Sequence, residues 1–536
     1  LNETERGYVK TLQSLPSPAK MLFARLVNRV GPCFRIDRLA YPEIGDVDAA
    51  ATMLCEAGLL EFCTPEMPAA VLVRFLGCFT LPELRAALGV TAPTRLKKAE
   101  CLAWMSGWPG LPAWLDAFLT AHPAIRISPR DCWPFLRFLY FGELRPNLSD
   151  FVTRDLGHVV TETIAAVHLR PLFPTRAHAD DAYRLATLYV RFRDLRGAQP
   201  ALETLAWWRA QGIVRERLLA GREWHDRLVG RLGRLLEREG EPAEALALYA
   251  TSMAPPARER RARLLLAAGD RQAACSLLRE MQTAPHDGAE AYVARQLLAR
   301  LQNAARRSQA RAYQQASRAI ILDYEEGGVE AAVLAHYRGQ GWHGAHVENW
   351  LFKACFGLLL WDIIFDPALG VFHSPLQLAP SDLYSPEFFA RRRAGIETRL
   401  ALLDTPAAAL SLVQAHHEAK YGIANPLVAW HENLAPLLAI FVTRLPGAGL
   451  AAALRHIGAD VARHATGLPD LFIWNDDDYR LIEIKSETDH LAGHQFEWLT
   501  RLAEAGINVE LNRIFRPRGM APAHNAFGLR KDVLSS

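Results

Sequence analysis

Apolar positions along this chain fall into three patterns, and each predicts a different kind of element. Over residues 1–165 they recur at helical spacing, beginning with Ala19 to Val30 (AKMLFARLVNRV). Inside this stretch, Phe79 to Met105 predicts a helix opened by Pro82 and Glu83, a basic loop, and a second helix opened by Arg95, Lys97 and Lys98. From 166 to 322 the chain is rich in Ala, Leu and Arg, and LLEREGEPAEALALY (Leu235 to Tyr249) and LLLAAGDRQAACSLL (Leu264 to Leu278) both read as helix, glycine-acidic turn, helix. In 323–536, Gly341 to Phe365 is apolar enough to predict a long buried helix with Glu348 near its start. The period then changes. Leu471 to Trp474 and Leu481 to Ile484 are short apolar runs flanking the polar turn Asn475 to Asp478, the pattern of a β-hairpin. An amphipathic helix follows (Phe496, Leu499, Leu502, Ala503), and after Gly506 the chain returns as a strand. Strand, strand, helix, strand predicts a small mixed sheet with the candidate site, carried on the hairpin, at one edge. The fold class is multidomain: predominantly α-helical N-terminal and repeat regions with a C-terminal α/β domain.

The hairpin carries candidate chemistry. Asp470 opens its first strand, and Glu483 and Lys485 lie two apart in the second, so strand alternation sends both to one face while Ile482 and Ile484 take the other. Two carboxylates and an ammonium on one face suit a hard divalent cation, which takes oxygen ligands and assists phosphate ester hydrolysis. Lys485 would orient the attacking water or hold the phosphate. Gln495, near the start of the following helix, faces back toward substrate or Lys485. Three weaker signals are set aside. His343, His346 and Glu348 provide three metal-ligand types in six residues but no fourth nearby, short of a zinc site. His431 and Glu432 begin like H-E-x-x-H, but Ala435 takes the last position and Pro436 follows. No phosphate-binding G-x-x-x-x-G-K-[ST] loop occurs, which excludes that class of ATP-driven enzyme.

Half of the 536 residues are hydrophobic, enough for several buried cores. The formal charge of +3 is too small to mark a nucleic-acid binder by itself, so DNA contact must come from local basic surfaces. Only 8 of the 61 basic residues are lysine, and such arginine-rich usage follows from a GC-rich genome. Arg258, Arg260, Arg261 and Arg263 form one cluster, Arg306, Arg307 and Arg311 another, and Arg391 to Arg393 a third; solvated helix faces are the simplest account of each. The eight cysteines include no C-x-x-C pair and mostly sit in apolar runs, which predicts reduced thiols. No apolar run is long enough for a membrane span. A cytoplasmic protein is expected.

Several of these segments resemble known families. Phe79 to Met105 is similar to a SAP module, a small DNA-binding helical motif at about 68–108, although Thr94 or Arg95 replaces its usual glycine. The Leu235 and Leu264 segments are similar to tetratricopeptide-type repeats. The P-D followed thirteen residues later by E-x-K resembles the PD-(D/E)xK nuclease superfamily. FVTRDLG (Phe151 to Gly157), LAHYRGQGWHGAHVE (Leu334 to Glu348), GLLLWDIIF (Gly357 to Phe365) and GLPDLFIWN (Gly467 to Asn475), in this order, resemble the Fanconi-associated nucleases, whose catalytic part is a VRR-NUC domain. The likeness covers nearly the whole chain and looks like a compact bacterial member.

The resemblance implies a nuclease that cuts 5′ flaps and branched double-stranded DNA, digests in the 5′ to 3′ direction, and helps unhook interstrand crosslinks. It implies that Asp470, Glu483 and the Ile484 carbonyl hold a first metal, with Asp470 bridging to a second held by Glu348. Two Mg²⁺ or Mn²⁺ ions about 4 Å apart would serve the hydrolysis. DNA contacts are expected from Arg95, Lys97, Lys98, Arg260, Arg261, Arg263 and Gln495. No ubiquitin-binding zinc finger is read in the chain, so recruitment by ubiquitinated partners is not implied. The alternatives are a PD-(D/E)xK enzyme of other specificity, such as a junction resolvase, and a non-catalytic DNA-binding scaffold.

Overall fold

The structure is a computed structural model that describes all residues except 30, 32, 90–94, 129–131, 145, 147, 287, 303–312, 315–316, 325–327, 386 and 518–536. The chain divides into two compact units, Leu1–Leu148 with Phe173–Tyr183, and Ser149–Leu172 with Arg184–Ser536. Among the described residues no single helix is long and apolar enough to cross a membrane.

The first unit packs short helices around an antiparallel sheet in the order β1-β3-β2, formed by β1 (Cys33–Arg35), β2 (Leu60–Phe62) and β3 (Ala124–Ile127). The helix pair read at Phe79 to Met105 is present as Leu81–Leu88 and Lys98–Ser106. Thr80 and Glu83 cap the first of these reciprocally, which satisfies two of the amide groups a helix start leaves unpaired. Glu83 also binds the buried Arg35, whose guanidinium lies 4.1 Å from the centre of the Phe79 ring. The helix start therefore belongs to the core.

In the second unit, the helices Arg222–Arg238, Pro242–Tyr249, Ala257–Ala267, Arg271–Thr283 and Gly288–Gln302 pack in succession. Gly240 and Gly269 sit at the two expected turns with φ of +85° and +84°.

The C-terminal sheet has five strands in the order β4-β8-β7-β6-β5: β4 (Arg318–Ile321), β5 (His343–His346), β6 (Leu471–Trp474), β7 (Tyr479–Lys485) and β8 (Val509–Phe515). β6 and β7 form the expected antiparallel hairpin, and the Gly493–Glu504 helix carries the chain to β8, parallel to β7. The sheet is larger than the sequence pattern indicated. β5 covers the outer side of β6 and β4 that of β8, so the hairpin lies inside the sheet rather than at its edge. The long helix read over Gly341 to Phe365 is also corrected. His343–His346 is strand, Glu348 is in a turn, and the helices are Trp350–Leu359 and Trp361–Ile364. Asn349 has φ +60°, a left-handed conformation that a continuing helix does not allow. The Trp350–Leu359 helix is buried on nearly every side and anchors this core, with Leu351, Phe352, Phe356 and Leu358 no more than 2% exposed. That burial on all faces explains why its composition read as one long helix.

Candidate active site

Strand register brings the two carboxylates of the hairpin together. Leu471 pairs with Ile482, and one more step along the ladder sets Asp470 across from Glu483. Asp470 Oδ2 accepts the Ile484 amide at 2.7 Å, which fixes its carboxylate over the end of β7. Glu483 is 1% exposed, and its Oε1 accepts from Lys485 Nζ at 2.6 Å. The alternation read from the sequence therefore places all three groups on one face.

Glu348 comes from a distant part of the chain, and two hydrogen bonds hold it there, one between backbones and one to a side chain. The Val347 amide donates to the Asp470 carbonyl at 2.7 Å, and the Leu468 amide donates to Asn349 Oδ1 at 3.1 Å. The turn holding Glu348 is thus tied to the turn leading into Asp470. Ligand atoms of His346, Glu348 and Asp470 all lie within 4.8 Å of one another.

Gly467 shapes that lead-in. Its φ is +83°, and a Cβ there would lie 2.3 Å from His494 Cδ2. An L side chain in this conformation costs about 1–2 kcal/mol before the clash is counted. Gly467→Ala is expected to shift Asp470 and lower the cleavage rate roughly ten- to a hundredfold, since catalysis is sensitive to ångström displacements. Single-turnover rates on folded variant check this, and an unchanged rate would show that the turn tolerates the substitution.

The electrostatics show a deficit of positive charge. Burial pushes Asp470 up to about 6, with Glu348 and Glu330 adding to the rise while the Ile484 amide and Lys485 oppose it. Burial likewise raises Glu483 to about 8, reinforced by Asp470 and opposed by Lys485. One ammonium is not enough for a buried and a half-buried carboxylate with further acids nearby. A divalent cation would supply the missing charge, and the oxygen-rich donor set fits a hard ion. Glu330, at the start of the Val329–Arg338 helix, is a contributor to this field that sequence reasoning missed. Nothing in its local pattern separates it from an ordinary first-turn acid.

The other candidates fall elsewhere. Gln495 uses its Oε1 to accept the Ala492 amide at 3.1 Å, capping its own helix. Arg95, Lys97 and Lys98 are exposed in the first unit, and Lys98 Nζ donates to the Gly77 carbonyl at 2.8 Å. In the repeat region Arg260 pairs with Glu237 and Arg263 with Glu259, while Arg261 lines a cleft with Leu265 and Glu280. Arg258 is buried against Glu290. Arg391 and the buried Arg392 of the third cluster both bind Asp382, in the turn before their helix, and Arg399 on the same helix binds Asp362 of the Trp361–Ile364 helix. Arg306, Arg307 and Arg311 lie outside the described residues. His343 does not join His346 in the acidic cluster; three residues further back in β5, its ring stacks on Trp474.

The family descriptions of the VRR-NUC domain and of the FAN1 HTH domain match residues 404–514 and 1–61. A Fanconi-associated nuclease 1 homolog of Pseudomonas aeruginosa is 31% identical over 522 residues, spanning 95% of this chain and 91% of that protein. The chain belongs to the Fanconi-associated nuclease family. Human Fanconi-associated nuclease 1 is 38% identical over 191 residues, 34% of this chain and 19% of the human protein. A crystal structure of paFAN1 bound to DNA with a 2-nucleotide 5′ flap and a gap superposes with a TM-score of 0.82 at 28% identity, covering 96% of this chain and 94% of that one. As a Fanconi-associated nuclease with a VRR-NUC domain, the chain is a DNA-hydrolysing enzyme. Sequence reasoning did not single out residues 1–61 as a module. The available signal was the Leu15-Pro16 break between the helices Glu3–Ser14 and Ser17–Val27, which a periodicity reading merges into one helical region.

Proposed function

We propose that this Fanconi-associated nuclease is a structure-selective enzyme that cuts 5′ flaps, digests DNA in the 5′ to 3′ direction and acts in repair, including the unhooking of interstrand crosslinks. The observation that carries the catalytic part is the meeting of Asp470, Glu483 and Lys485 on one buried face, with Glu348 tied beside them. Flap preference is supported by the relatives' structures, which hold paFAN1 on 5′-flap DNA.

Asp470, Glu483 and the Ile484 carbonyl would hold one Mg²⁺ or Mn²⁺, and Asp470 with Glu348 a second. Such ions, when bound, activate water and neutralise charge that develops on the phosphate. The protein's own groups prepare the site. The Ile484 amide holds Asp470 in one orientation, and Lys485 opposes the protonation of Glu483 that burial favours and offers a donor to a phosphate oxygen. Burial around Glu483 excludes competing water. The test compares cleavage of a labelled 5′-flap duplex with that of a four-way junction of the same arms. Faster cutting of the flap, near the branch, is expected; equal or faster cutting of the junction would overturn the specificity.

Catalytic groups alone do not distinguish a flap from continuous duplex. Bending DNA at a discontinuity costs less than bending intact duplex, so contacts that require a bend select branched substrates. Arg95, Lys97 and Lys98, exposed on the SAP-like helix pair, are proposed as phosphate contacts that help hold such a bend. Replacing all three with alanine should weaken flap binding and reduce the slope of log affinity against log salt by about 2–3, near one per lost phosphate contact. Unchanged affinity and slope in the folded variant would reject these contacts and leave the nuclease assignment standing.

A further inference from the structure

His346 completes a mixed donor set at the exposed end of the active site. It is the last residue of β5, opposite Leu471 and so beside the backbone of Asp470. Its carbonyl accepts the Trp350 indole N–H at 3.2 Å, tying the strand end to the following helix. Among the described residues the ring makes no hydrogen bond. Its Nε2 lies 3.9 Å from Glu348 Oε2, too long for a hydrogen bond. It is within the roughly 4.2 Å that separates two donors on opposite sides of one ion at about 2.1 Å each. Asp470 contributes the third donor, with all three ligand atoms within 4.8 Å of one another. The side chains of His346 and Glu348 are 48% and 54% exposed, which leaves room for water or a phosphate oxygen on the same ion. The inner position is different in kind: Glu483 is 1% exposed and flanked by the Asp470 carboxylate and the Lys485 ammonium, so the donors it offers an ion are carboxylate oxygens.

Resting on the reading of the site as metal-dependent, we propose that His346 is a nitrogen ligand of the ion held by Glu348 and Asp470. That position then prefers a first-row transition ion over Mg²⁺, while the Asp470 and Glu483 position stays permissive. The chemical reason is that imidazole is a softer donor than carboxylate. Mg²⁺ favours oxygen and sheds water reluctantly, whereas transition ions accept nitrogen ligands readily. Placement at the exposed end, opposite the buried hairpin, makes the two positions chemically unequal.

The test uses Mn²⁺ as the probe on the full chain, by pulsed electron paramagnetic resonance. Wild type should show the nitrogen modulation of a directly bound imidazole. His346→Ala and His346→Gln should both lose it, the second keeping the polarity of the site. In Mn²⁺ titrations with Mg²⁺ as competitor, the discrimination between the two ions should fall about tenfold or more in both variants, at the lower end of what disturbed ligand shells cost. Circular dichroism confirms that the variants fold. Mn²⁺ bound by wild type and lost in Asp470→Asn, but without nitrogen modulation and with the same Mg²⁺ competition in His346→Ala, would overturn the role of His346 and leave the metal site intact. Absence of bound Mn²⁺ in wild type would overturn both.

Discussion

Asp470→Asn, Glu483→Gln and Lys485→Met should each reduce cleavage by about a thousandfold or more, with flap-DNA affinity changed by no more than severalfold. The size follows from what is removed: metal assistance contributes several kcal/mol to phosphate ester hydrolysis, and about 1.4 kcal/mol is a factor of ten in rate. The substitutions preserve shape. This matters at Glu483, which is fully buried, because truncation to alanine would leave a cavity and an unpaired Lys485 and so confuse misfolding with lost chemistry. Asparagine at 470 keeps an oxygen to accept the Ile484 amide but lacks the charge that attracts a cation. Binding should survive because three side chains in a recessed face supply little of the surface that grips DNA. Single-turnover cleavage and fluorescence anisotropy on the same preparations separate the two effects. Near-wild-type cutting by Asp470→Asn would remove the site assignment.

Glu348→Ala is expected to lose roughly a hundredfold, the cost of one charge-stabilising group, because the hairpin ligands remain. Glu348 is more than half exposed, so its removal should leave thermal stability within about 0.5 kcal/mol of wild type, as for other surface changes. The remaining activity should require a higher divalent ion concentration. A variant as active as wild type at every ion concentration would show that the turn between β5 and the Trp350–Leu359 helix is only structural. A loss accompanied by unfolding would instead point to the ties from Val347 and Asn349.

The hairpin and its three polar groups were legible in the sequence because strand alternation converts a two-residue spacing directly into a shared face. The position of Glu348 was legible as chemistry but not as structure. Its neighbours His343 to His346 (HGAH) put two small residues between two histidines and are too few to display a strand period, and β6 offers them a partner. β4 was missed for another reason: its short apolar run Ala319 to Leu322 pairs with β8, which lies far along the chain. The arginine clusters were misleading in a different way. Arg258 and Arg260 meet acids on other helices and Arg392 an acid in the turn before its own helix, and those partners lie 10 to 32 residues away, beyond the reach of a helical-face reading. His346 was visible as a metal-ligand type and set aside for want of a fourth ligand. The structure keeps the number at three and replaces His343 with Asp470, more than a hundred residues on.

The central claim, that these residues form a metal-dependent nuclease site, is tested most directly by single-turnover cleavage of an end-labelled 5′-flap duplex by wild type and Asp470→Asn, with Mg²⁺, with Mn²⁺ and with EDTA. Wild type should cut near the branch with either ion and not in EDTA, and Asp470→Asn should cut about a thousandfold more slowly or worse with either ion and not in EDTA. Cleavage by wild type that persists in EDTA, or near-wild-type cleavage by Asp470→Asn, would contradict it.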